Sequence, residues 1–369
     1  MSERLRIVFI GAGRIADLHV MAYLDNPDAR IFGVCDTDAE WAARRAEEWG
    51  AERTYTDYRE ALADPEVDGV EILTPHHLHE EMSVAALAAG KHVSLQKPMA
   101  RTLGEADAIV KAAEASDRVF RVLENYRYYP PYVRAKEILE SGDVGEAVTL
   151  RMKVIGGNPQ GGWRVPAKSW AWRFNEELSG GGSSMFDHGY HMFSVATWLF
   201  GPVEEVFAWI ERTELAANVA MDSPAVLMWR HKPPARLESL PYGAPPRRFG
   251  TWETVNSAEM QVRSKYYSND EWIEITGTKG VIWVNRCTGD MLQRPALEVY
   301  RDGEVRAVHD IESDWASSFA GGIRDWHRCI REGGLPELSA AEGREVLRFS
   351  LAAHQSAREG RPVRLEELG

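Results

Sequence analysis

Cysteine is scarce in this 369-residue chain, and long apolar runs are missing altogether. Cys35, Cys287 and Cys329 lie far apart and form no CxxC pair. That spacing excludes a disulfide framework and a cysteine-based zinc site, and it fits a reducing, cytoplasmic setting. No stretch approaches the ~20 apolar residues that cross a bilayer, so no membrane partner is expected. The apolar start, LRIVFI at residues 5–10, is too short for a signal segment and leads straight into a glycine motif. Lysine and arginine runs are missing too. With 43 basic against 56 acidic residues the formal charge is −13, which argues against nucleic acid but leaves room for a small anion held by one local arginine. Repeats and low-complexity tracts are absent, and the length implies two domains.

What is present begins with strand, glycine turn and helix. LRIVFI reads as a buried strand, GAGRIA follows at 11–16, and LHVMAYL continues with a helical pattern. In this G-x-G-x-x-A arrangement Gly11 permits the tight turn and Gly13 lets a pyrophosphate approach the backbone, while the helix N-terminus offers it unpaired N–H groups. A glycine turn serving packing alone is the alternative. A second strand, ARIFGVC (29–35), ends in Asp36, 25 residues after Gly11. This is near the spacing of the acid that binds a ribose 2′-hydroxyl, and such an acid repels the extra phosphate of NADP. No Lys or Arg falls in the next seven residues, so NAD is favoured over NADP. The other reading makes Asp36 a helix cap.

Alternation continues with strands at 67–73, 91–96 and 119–125 and helical patterns between them. It predicts a parallel, doubly wound sheet whose ligands sit beyond the carboxyl ends of its strands. TPHHLH (74–79) and QKPMA (96–100) fall at such ends. Lys97 follows a buried strand, where a desolvated ammonium needs a partner. The trio His76, His77 and His79 has no acid or cysteine at ligand spacing, so no metal is expected.

In GGGSSMFDHGYH (180–191) Asp187 and His191 stand at i and i+4, which predicts one helical face. Met185, Met192, Val195, Ala196 and Leu199 form the apolar stripe that anchors it. Ser184-x-x-Asp187 also fits a capping pattern, and His191 alone fits an interior histidine. Trp163, Trp170 and Trp172 cluster with Arg164, Lys168 and Arg173, a pattern suited equally to stacking on sugar C–H faces and to a core stripe. Residues 232–262 are proline-rich and read as an irregular insertion, a lid or an oligomer contact.

GAGRIA, TPHHLH, QKPMART (96–102), NYRYYP (125–130), WRF (172–174), GGGSSMFDHGYH, ITGTKG (275–280) and AAHQSAREGRPV (352–363) together resemble the glucose–fructose oxidoreductase and inositol dehydrogenase (Gfo/Idh/MocA) family over nearly the whole chain. Gln96 stands where that family usually has an acid, His76 where it has Asn, and Ser194 where it often has Asp. The resemblance implies an N-terminal Rossmann domain, expected over 1–123, and a C-terminal α/β domain with a large open, mostly antiparallel sheet over 124–369, serving substrate and oligomerisation. It assigns the NAD site to Gly11, Gly13, Arg14, Ile15 and Asp36 in the first turn and strand. Thr74, Pro75, His76 and His79 join them from the second motif, Gln96, Lys97 and Asn125 from later strand ends, and Trp172 and Arg173 from the WRF segment. Substrate falls to Lys97, Tyr126, Arg127, Trp163, Arg164, Asp187 and His191.

The implied chemistry is hydride transfer between NAD and a secondary hydroxyl or ketone of a sugar, cyclitol or sugar derivative, in a homodimer or homotetramer. The catalytic set is Lys97, Asp187 and His191. His191, with an ordinary pKa of about 6.5, suits the base, and Lys97 suits stabilisation of the reacting oxygen. An NAD-dependent glycosidase with transient hydride transfer is the competing enzyme class. A regulatory protein on the same fold would need no acid/base set.

Overall fold

The computed structural model describes residues 4–160, 171–216, 219–233 and 247–369. Its chain clusters into two compact units: Met1–Asn125 with Val165–Gly181 and Ser318–Leu347, and Tyr126–Arg164 with Gly182–Ser317 and Arg348–Gly369.

The first unit holds six parallel strands, β1 (Leu5–Ile10), β2 (Ala29–Cys35), β3 (Arg53–Tyr55), β4 (Gly69–Ile72), β5 (His92–Gln96) and β6 (Phe120–Leu123), in the order β3-β2-β1-β4-β5-β6. Every residue of β4 and β6 is buried, as a sheet covered on both faces requires. Connecting helices start where the sequence supplies caps: Asp38 accepts from the Trp41 amide and Thr102 from that of Glu105. The helix expected over LHVMAYL is only Ala16–Val20, and the strand expected to reach 125 stops at Leu123.

Helix Ser317–Glu332 completes this unit's core by placing Ile323 and Trp326 with Ile7, Phe9 and Tyr23. Two charges lie inside the strands. Glu71 of β4 accepts from the Tyr23 hydroxyl (2.7 Å), meets His19 Nδ1 at 3.1 Å and lies 3.8 Å from Arg121 of β6. Burial pushes the Glu71 carboxyl up, but His19, Arg121 and Tyr23 together hold it below the usual range. Arg121 in turn donates to the Gly322 carbonyl, tying strand to helix.

The second unit is built on β7 (Ala147–Gln160), β8 (Val203–Ile210), a separate pair β9 (Thr213–Ala216) and β10 (Val219–Met221), β11 (Ala225–His231), β12 (Phe249–Arg263), β13 (Asn269–Gly277), β14 (Gly280–Val284), β15 (Leu297–Arg301), β16 (Glu304–Val308) and β17 (Val363–Arg364). Its nine-stranded sheet runs β16-β15-β14-β13-β7-β12-β11-β8-β17, antiparallel throughout except for the β7–β12 pair. Burial alternates along β11, which is the mark of one covered face and one solvated face. Helix Gly189–Phe200 lies on the covered face, where Phe193 meets Trp252 edge-on at 5.5 Å.

The reading of 232–262 as irregular is corrected by β12, which occupies nearly half of it, from Phe249 onward. Trp252 and Thr254 are buried while Thr251 and Glu253 are exposed, so the period is that of a strand. The part of that segment at 234–246 lies outside the described residues.

Candidate active site

In the first unit the motifs gather at the carboxyl edge of the parallel sheet. GAGRIA follows β1, TPHHLH follows β4, Gln96 ends β5 and Asn125 follows β6; these four strands are neighbours in the sheet. Between β1 and β4 the strand order reverses direction, which is where such sheets open a crevice.

Gly11 sits at φ +91°, with its Cα so close to the Leu73 carbonyl that a Cβ would stand 3.0 Å from the oxygen. Gly13 differs: a Cβ there meets no protein atom within 4 Å, so the room above it is left for a ligand. Ile15 is the cap position of the short helix, and Arg14 pairs with Asp17 at 3.1 Å. Asp36 is fixed at the mouth of this turn. Its Oδ2 accepts from the Ala12 amide (3.0 Å) and its Oδ1 from the Asp38 amide (3.1 Å). Each oxygen keeps lone-pair capacity for a ribose diol. Arg45, which could have met a 2′-phosphate, is buried over Trp49 at 4.3 Å and pairs with Glu48 at 2.6 Å and with Asp17. These residues fit NAD.

The histidines of TPHHLH are structural neighbours of the same edge. His79 Nδ1 stands 2.9 Å from the Pro98 carbonyl and Nε2 3.0 Å from that of Thr74, and burial pushes its pKa down to about 3. As a neutral ring it donates to one of these two carbonyls and lies against the other, packed between the two motifs. Thr74 points its hydroxyl to Met82. His76 meets the Ser179 carbonyl at 2.7 Å, and its ring packs edge-on to Trp172 at 4.6 Å, while Arg173 lies over the same indole at 4.6 Å. Trp172 and Arg173 come from a turn at Ala171–Phe174. Gln96 Oε1 accepts from the Lys97 amide (2.8 Å), and Asn125 donates to Ser318 (2.8 Å). Among the described residues no three His, Cys, Asp or Glu side chains are grouped to hold a metal.

In the second unit Asp187 and His191 are both buried and both belong to the segment that starts at Ser183. Its opening turn, Ser183–His188, is a π turn, and the Asp187 amide reaches back five residues to the Gly182 carbonyl (3.1 Å). The expectation of a plain α-helical face is corrected accordingly: Asp187 lies in the wide turn and His191 in the α-helix after it. The capping pattern is corrected as well. The cap is Asp222, whose carboxylate accepts from the amides of Ser184 (2.7 Å), Met185 (2.7 Å) and Phe186 (3.2 Å). Gly182 makes room for it, since a Cβ there would overlap that carboxylate. Met185, Met192, Val195, Ala196 and Leu199 are buried, as the stripe requires.

Tyr126 and Arg127 are both buried and bound within the second unit. The Tyr126 hydroxyl donates to the buried Glu271, and its ring stacks on the His191 imidazole at 4.0 Å and 8°. Arg127 is buried and donates to Ser194 Oγ at 2.9 Å, so serine at that position accepts from a guanidinium. Trp163 and Arg164 lie outside the described residues. Asp222 and Glu271 were missed in the sequence. Asp222 leaves no local signal. Glu271 does, because it shares the period-2 face of Ile273 and Ile275 and an acid on a core face needs partners.

Two family models match the chain: one described as an oxidoreductase family with an NAD-binding Rossmann fold, over residues 5–124, and one as the GFO/IDH/MocA C-terminal domain, over 132–283. Levoglucosan dehydrogenase of Pseudarthrobacter phenanthrenivorans is 28% identical over 96% of both chains. Myo-inositol 2-dehydrogenase of Thermotoga maritima is 25% identical over 99% of both. A solved structure of levoglucosan dehydrogenase with NADH and L-sorbose superposes with a TM-score of 0.81 at 25% identity, covering 99% of each chain.

Proposed function

Because this chain belongs to the GFO/IDH/MocA family of NAD-binding oxidoreductases, we propose that it is an NAD-dependent dehydrogenase acting on a secondary alcohol of a sugar, cyclitol or sugar derivative. One observation carries the choice of cofactor: Asp36 is held at the glycine turn by two amides while the nearest arginines are paired elsewhere. NAD, held at the turn of Gly11 and Gly13 and by Asp36, would supply the acceptor for the hydride of the alcohol carbon. His191 takes the hydroxyl proton, and in the reverse direction returns it. Lys97 donates a hydrogen bond to the reacting oxygen and stabilises its negative charge. Asp187 orients the substrate hydroxyl or the imidazole. Trp163 and Arg164 are assigned to the substrate by aromatic stacking and hydroxyl recognition.

Residues 1–123 hold most of the nucleotide site, joined by Asn125, Trp172 and Arg173, and the rest of 124–369 serves substrate and subunit contacts, apart from the helix Ser317–Glu332 that packs into the first unit. A homodimer or homotetramer is supported by the solvated face of the large sheet. Trp209 of β8 and Val226 and Met228 of β11 stand side by side there, 58%, 45% and 50% exposed, with Phe249 of β12 beyond them. A cytoplasmic setting is supported by three buried, unbridged cysteines, of which Cys35 is pushed up to about 12 by burial and by Asp36 beside it.

The test is a screen of sugars, cyclitols and sugar acids with NAD and with NADP, followed at the nicotinamide absorbance. One NADH per substrate oxidised, with NAD preferred, is the expected outcome. A clear NADP preference overturns the reading of Asp36. Bond hydrolysis without net NADH moves the enzyme to the glycosidase class.

A further inference from the structure

The His191 imidazole has two walls, and one buried carboxylate holds both. Tyr126 covers its face at 4.0 Å, and His188 packs edge-on at 5.5 Å. Glu271 of β13 is fully buried; its Oε1 accepts from the Tyr126 hydroxyl and stands 3.2 Å from His188 Nε2. Its Oε2 accepts from both the amide (2.8 Å) and the hydroxyl (3.0 Å) of Thr288. The carboxylate thus joins the sheet, the loop after β14 and the two rings beside His191.

Leaving an ionised carboxylate away from water is costly unless several donors serve it, and here four polar groups surround it. A hydrophobic residue of similar size in β13 would fill the same space next to Ile273 without that cost. Packing of the sheet therefore does not explain the choice of glutamate. The place it occupies, at the junction of both rings that flank the imidazole, does.

We propose that Glu271 is a positioning residue for the reaction: through Tyr126 and His188 it fixes the plane and depth of the His191 ring, so that the base meets the substrate hydroxyl in one orientation. This rests on the reading of His191 as the base. A proton acceptor displaced by about an ångström loses on the order of 10²-fold in rate, while binding of the nucleotide elsewhere is untouched.

The experiment is a double-mutant cycle with Glu271→Gln, Tyr126→Phe and His191→Asn. Glu271→Gln keeps the size and removes the charge, leaving an amide N–H facing the donors. Tyr126→Phe keeps the ring on His191 and removes only the tether. We expect kcat to fall roughly 10–100-fold for Glu271→Gln and about tenfold for Tyr126→Phe, with KM for NAD unchanged. In the His191→Asn background neither change should lower the residual rate further, because there is no base left to position. If Glu271→Gln lowers the rate by the same factor with and without His191, it acts on the fold at large and the proposal is overturned. If His191→Asn is inactive but Glu271→Gln and Tyr126→Phe both turn over normally, the positioning role alone is overturned. If His191→Asn keeps full turnover, the base assignment falls and this inference falls with it. Should Glu271→Gln fail to fold, Tyr126→Phe, which leaves the carboxylate its two Thr288 donors, decides by the same cycle.

Discussion

The two sheets use their surfaces in opposite ways. The parallel sheet is buried on both faces, so strands such as β4 and β6 offer nothing to solvent and the chemistry moves to their carboxyl ends. The mostly antiparallel sheet keeps one face for the helix that carries His191, with Asp187 in the turn before it, and leaves the other with Trp209, Val226 and Met228 in water. The first unit thus concentrates function at an edge made of loops, and the second distributes it over a face. A change at the edge should alter ligand binding or turnover with little effect on folding. A change on the face should alter folding, catalysis or assembly together.

The largest effect tests whether that division holds for the reaction itself. Lys97→Met at the edge and His191→Asn on the face should each lower turnover by roughly 10²–10⁴-fold. Isothermal titration should show NAD affinity within a few-fold of the parent for both. A loss of NAD binding in His191→Asn would break the comparison.

Acid should separate the units next. In the first unit burial pushes His79 and His327 down to about 3 and His92 down to about 4; in the second only His231, at about 4, is resolved in that range among the described residues. Each folded value lies below the unfolded value of about 6.5, so protonation favours the unfolded chain. Stability is full above pH 6.5 and is lost as pH falls towards 4. The slope is up to about 1.4 kcal/mol per pH unit for each fully buried ring, and less for the partly solvated His92. After the slower intrinsic exchange in acid is divided out, amide protection should therefore fall first in β1, β4 and β5 between pH 7 and pH 5, with β7 and β11 falling later. An equal fall in β7 and β11 would remove the distinction.

Asp36→Ala should weaken NAD about 10–100-fold, the weight of hydrogen bonds to a charged group, and relax discrimination against NADP. Fluorescence titration with both nucleotides measures it, and an unchanged ratio would refute the role of the carboxylate.

The two glycines sharpen the contrast further. Gly13→Ala should leave the melting temperature in place, since a Cβ there meets no protein atom, yet weaken NAD. Gly182→Ala should lower stability by about 1–3 kcal/mol, because the Asp222 cap must move, and lower kcat with it. The smallest effect on chemistry belongs to Trp209→Glu, which should shift the oligomer towards monomer in sedimentation while the monomer keeps its NAD affinity.

Legibility followed the same divide. Strands β1, β2, β4 and β5 could be read because fully buried parallel strands are short apolar runs bounded by glycine, proline and acids. Their motifs were legible because a phosphate turn needs Gly11 and Gly13 at fixed spacing. The π turn at 183–188 could not be read, since what holds it is the Asp222 carboxylate from far along the chain. β12 was hidden because its alternation, Trp252 and Thr254 inside with Thr251 and Glu253 outside, follows a proline-rich stretch and is half polar. β15 (LEVYR) and β16 (EVRAV) interrupt their few apolar residues with charged ones and form no apolar run to read. The partner of Tyr126 could not be read, since the acid that binds its hydroxyl sits 145 residues away.

Helix Ser317–Glu332 sets the order in which the protein can be made. Phe9, Tyr23 and Ile7 share a core with Ile323 and Trp326, and Arg121 waits for the Gly322 carbonyl, 201 residues downstream. At the usual ribosomal pace this interval lasts roughly 10–40 s. During it, all six strands of the nucleotide sheet have emerged but their apolar flank is uncovered. The nascent chain therefore carries a sticky surface through most of its synthesis, and the nucleotide domain, although it is made first, is finished almost last.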